Sequence, residues 1–246
     1  MNVKLLHHSP LWLASHAIRM SHNNHDKSDT TFQSTDGYGG NISSVTITPI
    51  LGEYVNVDMG VKDKELIARV GNKLKHKSVL EQLVYWFDID GISRACLQEL
   101  ARHRTARLTV KSSRYTLKEL KDNCSFYNTS PIGTDWRWDE VEKFCVLTGR
   151  IAVDENIARA LSTLQYALED GISNDIAKYC LPEAFKTRLQ WQIDGRNLQN
   201  FLELRTSKDA LWEIQNLARA VYDALPSEHR YLYEEYVKGN TNDKSN

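Results

Sequence analysis

The sequence predicts a mixed α/β protein, and three observations carry that prediction. "LVYWFDID" (83–90) sets Leu83, Tyr85, Phe87 and Ile89 against Val84, Trp86, Asp88 and Asp90, the period of two expected of a strand with one apolar face. "TRLQWQID" (187–194) does the same with Leu189, Trp191 and Ile193. In both cases a glycine, Gly91 or Gly195, turns the chain into a helical pattern. Patterns of helical period also run from Asp135 to Glu169, with a break near Gly149, and through 207–225. The apolar share of 41% and charged share of 26% over 246 residues suit a globular chain with a real core.

The elements follow in order. "VKLLHH" reads as a short strand and "SPLWLASHAIRMSH" as a helix. From Asn23 to Gly60 the chain turns polar and rich in Gly, Ser, Thr and Asp, an excursion with a hairpin expected at "SSVTITPI" and "EYVNVDM". "KDKELIARVGNKLKH" is helical, and Gly91 ends the strand that follows it. Ser93 is placed to cap "ISRACLQELA", whose Ile92, Cys96 and Leu100 share a face. "RLTVK" alternates as a strand, and "TLKE" (116–119) matches the capping box that opens a helix. "GISNDIAKYCLP" is a shorter helix stopped before Pro182, and "RNLQNFLELR" is a helix ending at Arg205. Leu211, Ile214, Leu217, Val221 and Leu225 form one stripe, while "KGNTNDKSN" is a fraying tail. No repeat or linker divides the chain, so one domain over 1–246 is expected.

A net charge of −1 argues against a general nucleic-acid binder. Cys96, Cys124, Cys145 and Cys180 form no C-x-x-C pair, so neither a metal site nor a disulfide framework is expected. Cys96 and Cys145 lie in apolar helical contexts and read as core residues. The N-terminus lacks the apolar run of a signal peptide, and no stretch approaches the roughly 18 apolar residues of a membrane span. A cytoplasmic protein without membrane or nucleic-acid partners is expected.

Positive charge is nevertheless concentrated in "RHRTARLTVKSSRY" (102–115). Arginine offers bidentate donors to phosphate, and hydroxyls add neutral ones at shorter reach. Lys111 and Arg114 flank Ser112 and Ser113, a cradle for one phosphate monoester, and Arg102, His103 and Arg104 are expected to serve a second ligand, because consecutive side chains cannot all point the same way. Two plainer readings stand beside this one: a solvated basic loop, and an RNA-binding patch in which His103 and Tyr115 stack bases.

The spacing Arg102-His103-Arg104, seven residues, Ser112 resembles the R-H-R-x7-S signature of flavin-dependent thymidylate synthases. "SVLEQLVYWFDIDGISRACLQELARHR" (78–104) resembles that family's segment without a gap. Leu181-Pro182, "WQIDGRNLQNFLELR" and "ALWEIQNLA" resemble its later blocks in order. The resemblance implies an α+β fold with an antiparallel or mixed sheet flanked by helices, like that of thymidylate synthase-complementing proteins. It implies reductive methylation of dUMP to dTMP, with methylenetetrahydrofolate giving the carbon and NADPH-reduced FAD the hydride. No cysteine nucleophile is involved, and the family forms homotetramers with sites shared between subunits. The alternatives are an impaired nucleotide-binding module and the RNA-binding protein.

Carried over by position, the resemblance places Glu99, Arg102, Lys111, Ser112, Ser113, Arg114 and Lys178 on dUMP. It places Ser78, Arg102, His103, Arg104, Val110, Asp194, Arg196 and Asn200 on FAD. Arg205 stands where the family has the catalytic residue that promotes ionisation at N3 of the uracil. A guanidinium aimed at the N3/O4 edge stabilises charge that develops as C5 becomes nucleophilic. The sequence departs from the family at Gln82 (commonly His), Glu99 (Gln), Lys178 (Arg), Asp194 (Asn), Arg107 (Ser) and Val110 (Glu), leaving Val110 only its backbone.

Overall fold

The structure is a computed structural model, and it describes residues 1–33, 39–41, 56–113, 117–120, 125–130 and 133–238. The described strands are β1 (Asn2–His8), β2 (Thr31–Gln33), β3 (Gly39–Asn41), β4 (Asn56–Asp58), β5 (Val84–Ser93), β6 (Arg107–Val110), β7 (Tyr127–Ser130), β8 (Gly133–Trp136) and β9 (Lys186–Asp194). The helices are α1 (Trp12–Ser21), α2 (Val61–Ile67), α3 (Arg94–Leu100), α4 (Trp138–Phe144), α5 (Ile151–Glu169), α6 (Asn174–Ala177), α7 (Gly195–Arg205), α8 (Trp212–Asp223) and α9 (Glu234–Lys238). One sheet has the order β1-β5-β9-β6, a second β3-β2-β4, and β7 pairs with β8. The mixture of helices and antiparallel pairings is the α+β architecture expected.

The chain divides into two compact units. The first comprises Met1–Val3, Asp88–Arg104 and Leu108–Trp191, and the second Lys4–Phe87, Thr105–Arg107 and Gln192–Asn246. In the first, the 19-residue α5 turns Ile157, Leu161, Leu164 and Leu168 into a core with Leu117, Phe126, Val141 and Cys145. Asp154 ties down the entry to α5 by accepting from the N–H groups of Thr148 (2.8 Å) and Gly149 (3.0 Å). The break near Gly149 is real, with φ at +74°. In the second unit, α7 buries Leu198, Phe201 and Leu202, and α8 buries Ile214, Leu217 and Val221. Each such side chain contributes about 1.5–3 kcal/mol when fully removed from water.

Several expectations are corrected. Gly91 does not end its strand: β5 runs on to Ser93 with Gly91 at φ +78°. Burial alternates through Ile89 and resumes at Ile92, one residue out of phase. A glycine in the left-handed region lets the strand slip by one residue and continue. Gly195 is the first residue of α7 rather than a turn, and Leu211 precedes α8 with its side chain partly exposed. Asp135 lies in β8, so the helical pattern starts later, at Trp138. Asn56–Asp58 pairs antiparallel with Thr31–Gln33, and residues 43–50, the other half of the expected hairpin, lie outside the described residues. "TLKE" becomes a 3-10 turn over Leu117–Leu120, and Thr116, like the tail from 239 on, is outside the described residues. "ARVGNK" departs from the expected α-helix, winding as a π-helix over Ala68–Lys73.

Candidate functional site

In the first unit the Arg102-His103-Arg104 part of the basic stretch is mounted on α3. The Ser93 Oγ accepts from the Cys96 N–H at 3.0 Å, the expected N-cap. The N–H groups of Arg94 and Ala95 donate to the carbonyls of Phe185 (3.1 Å) and Glu183 (3.0 Å). With Ile92, Cys96 and Leu100 fully buried, the helix is fixed at its start and along one face. Beyond it the chain turns tightly: the His103 N–H donates to Leu100 (3.1 Å) and the Arg104 N–H to Arg102 (3.0 Å). The turn buries His103, at 8% exposure, and leaves Arg102 and Arg104 at the surface. The Glu99 carbonyl accepts from the Arg102 N–H at 3.4 Å, so these two residues stay close.

After β6, whose Val110 side chain is exposed, the Lys111 N–H donates to the Arg188 carbonyl at 2.8 Å. The Lys111 ammonium pairs with Glu119, 3.0 Å from Oε2. Ser112 is exposed and Ser113 half-buried; Arg114 is outside the described residues. Sequence reasoning missed what surrounds Lys111: a cleft of about 240 Å³ lined also by Glu119, Lys143, Lys186 and Arg188. Arg188 grips Asp88 with two hydrogen bonds, Nε–Oδ1 at 2.9 Å and Nη2–Oδ2 at 2.5 Å. The signal for Arg188 was present, since it alternates outward against Leu189 and Trp191. Lys178 opens a separate 3-10 turn, Lys178–Cys180, and no hydrogen bond or ion pair joins its side chain to the basic stretch among the described residues.

In the second unit Ser78, Asp194, Arg196 and Asn200 gather around the start of α7. Ser78 and Glu81 lie in the 3-10 helix Lys77–Gln82, where residues three apart eclipse one another. Arg196 and Asn200, four apart on α7, share a face. The Arg196 guanidinium binds the Glu81 carboxylate at 2.7 Å and joins the two faces. Their close approach depends on Gly195: its N–H donates to the Leu83 carbonyl at 2.7 Å, and a Cβ there would lie 2.8 Å from the Leu80 carbonyl oxygen. Asp194 caps α7, its Oδ1 accepting from the Asn197 N–H at 3.0 Å and its Oδ2 from the Asn197 side-chain amide at 2.6 Å. Both Glu81 and this cap escaped sequence reasoning, although Asp before a helix is a cap signal.

Arg205 does not join that group. Nine residues beyond Arg196, it lies about 13.5 Å further along the axis and on the opposite face of an ideal helix. Half-buried, it precedes Thr206, whose hydroxyl donates to the Leu202 carbonyl at 2.7 Å. The exposed hydroxyl, amide and guanidinium groups on α7 and the 3-10 helix suit the ring edges and phosphates of a flavin nucleotide, so the residues present fit such a group. Burial pushes the Cys145 thiol up to about 12, the opposite of what a nucleophile needs. Among the described residues no helix is long and apolar enough to cross a membrane.

An α+β fold with guanidinium and hydroxyl groups grouped at the ends of capped helices is chemically suited to a ligand that carries phosphates. The comparisons make it particular. The family model described as thymidylate synthase complementing protein matches residues 4–229, and the chain belongs to that family. It is 49% identical to the flavin-dependent thymidylate synthase of Wolinella succinogenes over 233 residues, 95% of this chain and 97% of that one. It is 45% identical to the enzyme of the same description from Helicobacter pylori, over 97% of this chain and 100% of that one. A crystal structure of thymidylate synthase X from Helicobacter pylori with FAD and dUMP superposes with a TM-score of 0.80 at 42% identity, covering 97% of this chain and 99% of that one.

Proposed function

We infer that the chain is a flavin-dependent thymidylate synthase, a methyltransferase that converts dUMP to dTMP. One observation carries the reading: the Arg-His-Arg and Ser112 signature is spaced as in the family, its Arg-His-Arg part follows a capped and buried helix, and the family model matches the chain over 4–229. FAD, when bound, supplies the reducing equivalents drawn from NADPH, while methylenetetrahydrofolate supplies the carbon.

The residue roles are ours. Lys111, Ser112, Ser113 and Arg114 hold the phosphate of dUMP, with Glu99 and Lys178 on other parts of the nucleotide. For Lys111 this means exchanging its exposed partner Glu119 for phosphate, a small cost because such a pair is worth about 0–1 kcal/mol. Arg102 and Arg104 present cations to FAD with His103 packed behind them, and Arg102 also meets the nucleotide. Ser78, Arg196 and Asn200 donate to the flavin, Val110 offers only backbone, and Asp194 keeps the start of α7 ordered beside it. Arg205 directs its guanidinium at the uracil N3/O4 edge and stabilises the charge that makes C5 nucleophilic. Because Arg205 and Arg196 leave α7 on opposite faces, they serve different sites of a homotetramer, each site completed by another copy. The units form one domain, since each is assembled from separated stretches of chain. The enzyme works in the cytoplasm.

The test is direct. Protein saturated with FAD is expected to oxidise NADPH and to form dTMP from dUMP and methylenetetrahydrofolate. Absence of both sinks the reading.

A further inference from the structure

A cleft of about 840 Å³ lies between α1 and the stretch running from α2 into the π-helix, and none of the residues assigned above lines it. Its basic lining is Lys27, Lys62, Arg69 and Lys73, and Glu65 is its one acidic residue. Among the described residues none of these four cations is in an ion pair. Elsewhere some surface cations have counter-ions, as Lys111 has Glu119 and Arg188 has Asp88. Arg19, at the back of the cleft, is spent on Asp63, which also accepts from Ser28 and Thr30 at 2.6 Å each. Asp29, whose carboxylate accepts from the Lys62 N–H at 2.9 Å, and Glu65 offset only part of the charge of these cations, so the cluster is suited to a ligand with several negative charges.

Two further features narrow the ligand. Ile18, Leu66 and Leu74 line the same cleft and give it an apolar strip. The Asn24 Oδ1, also in the lining, is buried without a hydrogen-bond partner among the described residues, which calls for a donor. The backbone is unusual too: the Leu74 N–H reaches the Arg69 carbonyl at 2.9 Å, five residues back, and Lys75 closes the coil at φ +58°. Such π segments concentrate at functional sites.

We propose that this cleft binds a nucleoside triphosphate, with the ring on the apolar strip, the phosphates among Lys27, Lys62, Arg69 and Lys73, and an amino or hydroxyl hydrogen donated to Asn24. The test is calorimetric titration of the protein, already saturated with FAD and dUMP, with magnesium-free ATP, and in parallel with inorganic tripolyphosphate. One ATP per chain is expected, with tripolyphosphate bound more weakly because it lacks the ring. The surface substitutions Arg69→Glu and Lys73→Glu are each expected to weaken ATP at least about tenfold while leaving dTMP formation intact. Absence of ATP binding, equal affinity in both charge reversals, or tripolyphosphate binding as tightly as ATP overturns the proposal.

Discussion

At its N-terminal end α7 is held from several sides: Asp194 caps it, Gly195 lies against the Leu80 carbonyl and the Tyr233 hydroxyl, and Arg196 is bound to Glu81. At its C-terminal end Arg205 follows the buried Phe201 and Leu202 and leaves the helix on the other side. One helix therefore offers a rigid, pre-organised donor surface at one end and a single guanidinium at the other. The proposed roles give binding to the first end and charge stabilisation to the second.

The sharpest way to break that division is to remove each arginine separately. Arg205→Ala is expected to lower kcat about 100- to 1,000-fold, the usual cost of deleting one donor aimed at developing charge, while flavin absorbance stays. Arg196→Ala is expected to do the reverse, weakening flavin binding with less effect on saturated turnover. Turnover measured with and without added FAD separates them; matching profiles would end the assignment.

Next in size is Gly195→Ala. The added Cβ meets backbone and a buried phenol at 2.8 Å, so something must shift, at about 1–3 kcal/mol of stability. Urea denaturation reads this loss, and an unchanged midpoint would show that the close approach is dispensable.

The same end of α7 is tied to pH. The Tyr233 hydroxyl beside Gly195 donates to Tyr85 at 2.9 Å, and the Tyr85 hydroxyl meets the His229 Nδ1 at 2.7 Å. Burial first, and the neighbouring His8 second, push His229 down to about 4, with Glu228 opposing. The fold thus favours the neutral ring, so its stabilising share is complete above about pH 6.5 and is lost as pH falls towards 4. The slope reaches at most about 1.4 kcal/mol per pH unit. The carboxyl of Asp29, where burial is outweighed by the N–H groups of Lys62 and Asp63, is held low, as is that of Glu228, so both release their share only at more acid pH. Between pH 6.5 and 4.5 a His229→Gln variant is expected to flatten the dependence, and an unaltered slope would put the titration elsewhere.

How much of this was legible in the sequence depends on the range of the interaction. Tyr85, Phe87 and Ile89 announced their strand because alternation is a local property; Leu83, which the pattern included, precedes the strand, and all four are fully buried. Ser93 announced its helix for the same reason. The π-helix left no comparable local pattern, and one of its residues, Asn72, has a partner 160 residues away: its side-chain amide donates to the Leu232 carbonyl at 3.2 Å. Glu119 beside Lys111 was hidden less by distance than by pattern, because the capping-box match gave that glutamate a different task. The family motif named Arg196 and Arg205 alike; helical periodicity alone sets them on opposite faces.

Asp194 offers the finest test, because it separates ordering the helix from touching the flavin. Its carboxylate accepts from the N–H and the side-chain amide of Asn197, a role that asparagine can fill at the N–H. Asp194→Ala is expected to cost about 1 kcal/mol of stability. Asp194→Asn, which restores the residue common in the family, is expected to keep the cap and remove one negative charge beside the Arg196 surface. If the residue acts through the cap, Asn leaves stability within a few tenths of a kcal/mol and flavin affinity nearly unchanged. If its charge acts on the flavin directly, Asn shifts the flavin reduction potential while stability holds. Potentiometric titration of the two variants beside the parent protein decides between them, and a loss of stability in Asn as large as in Ala would remove the cap from the account.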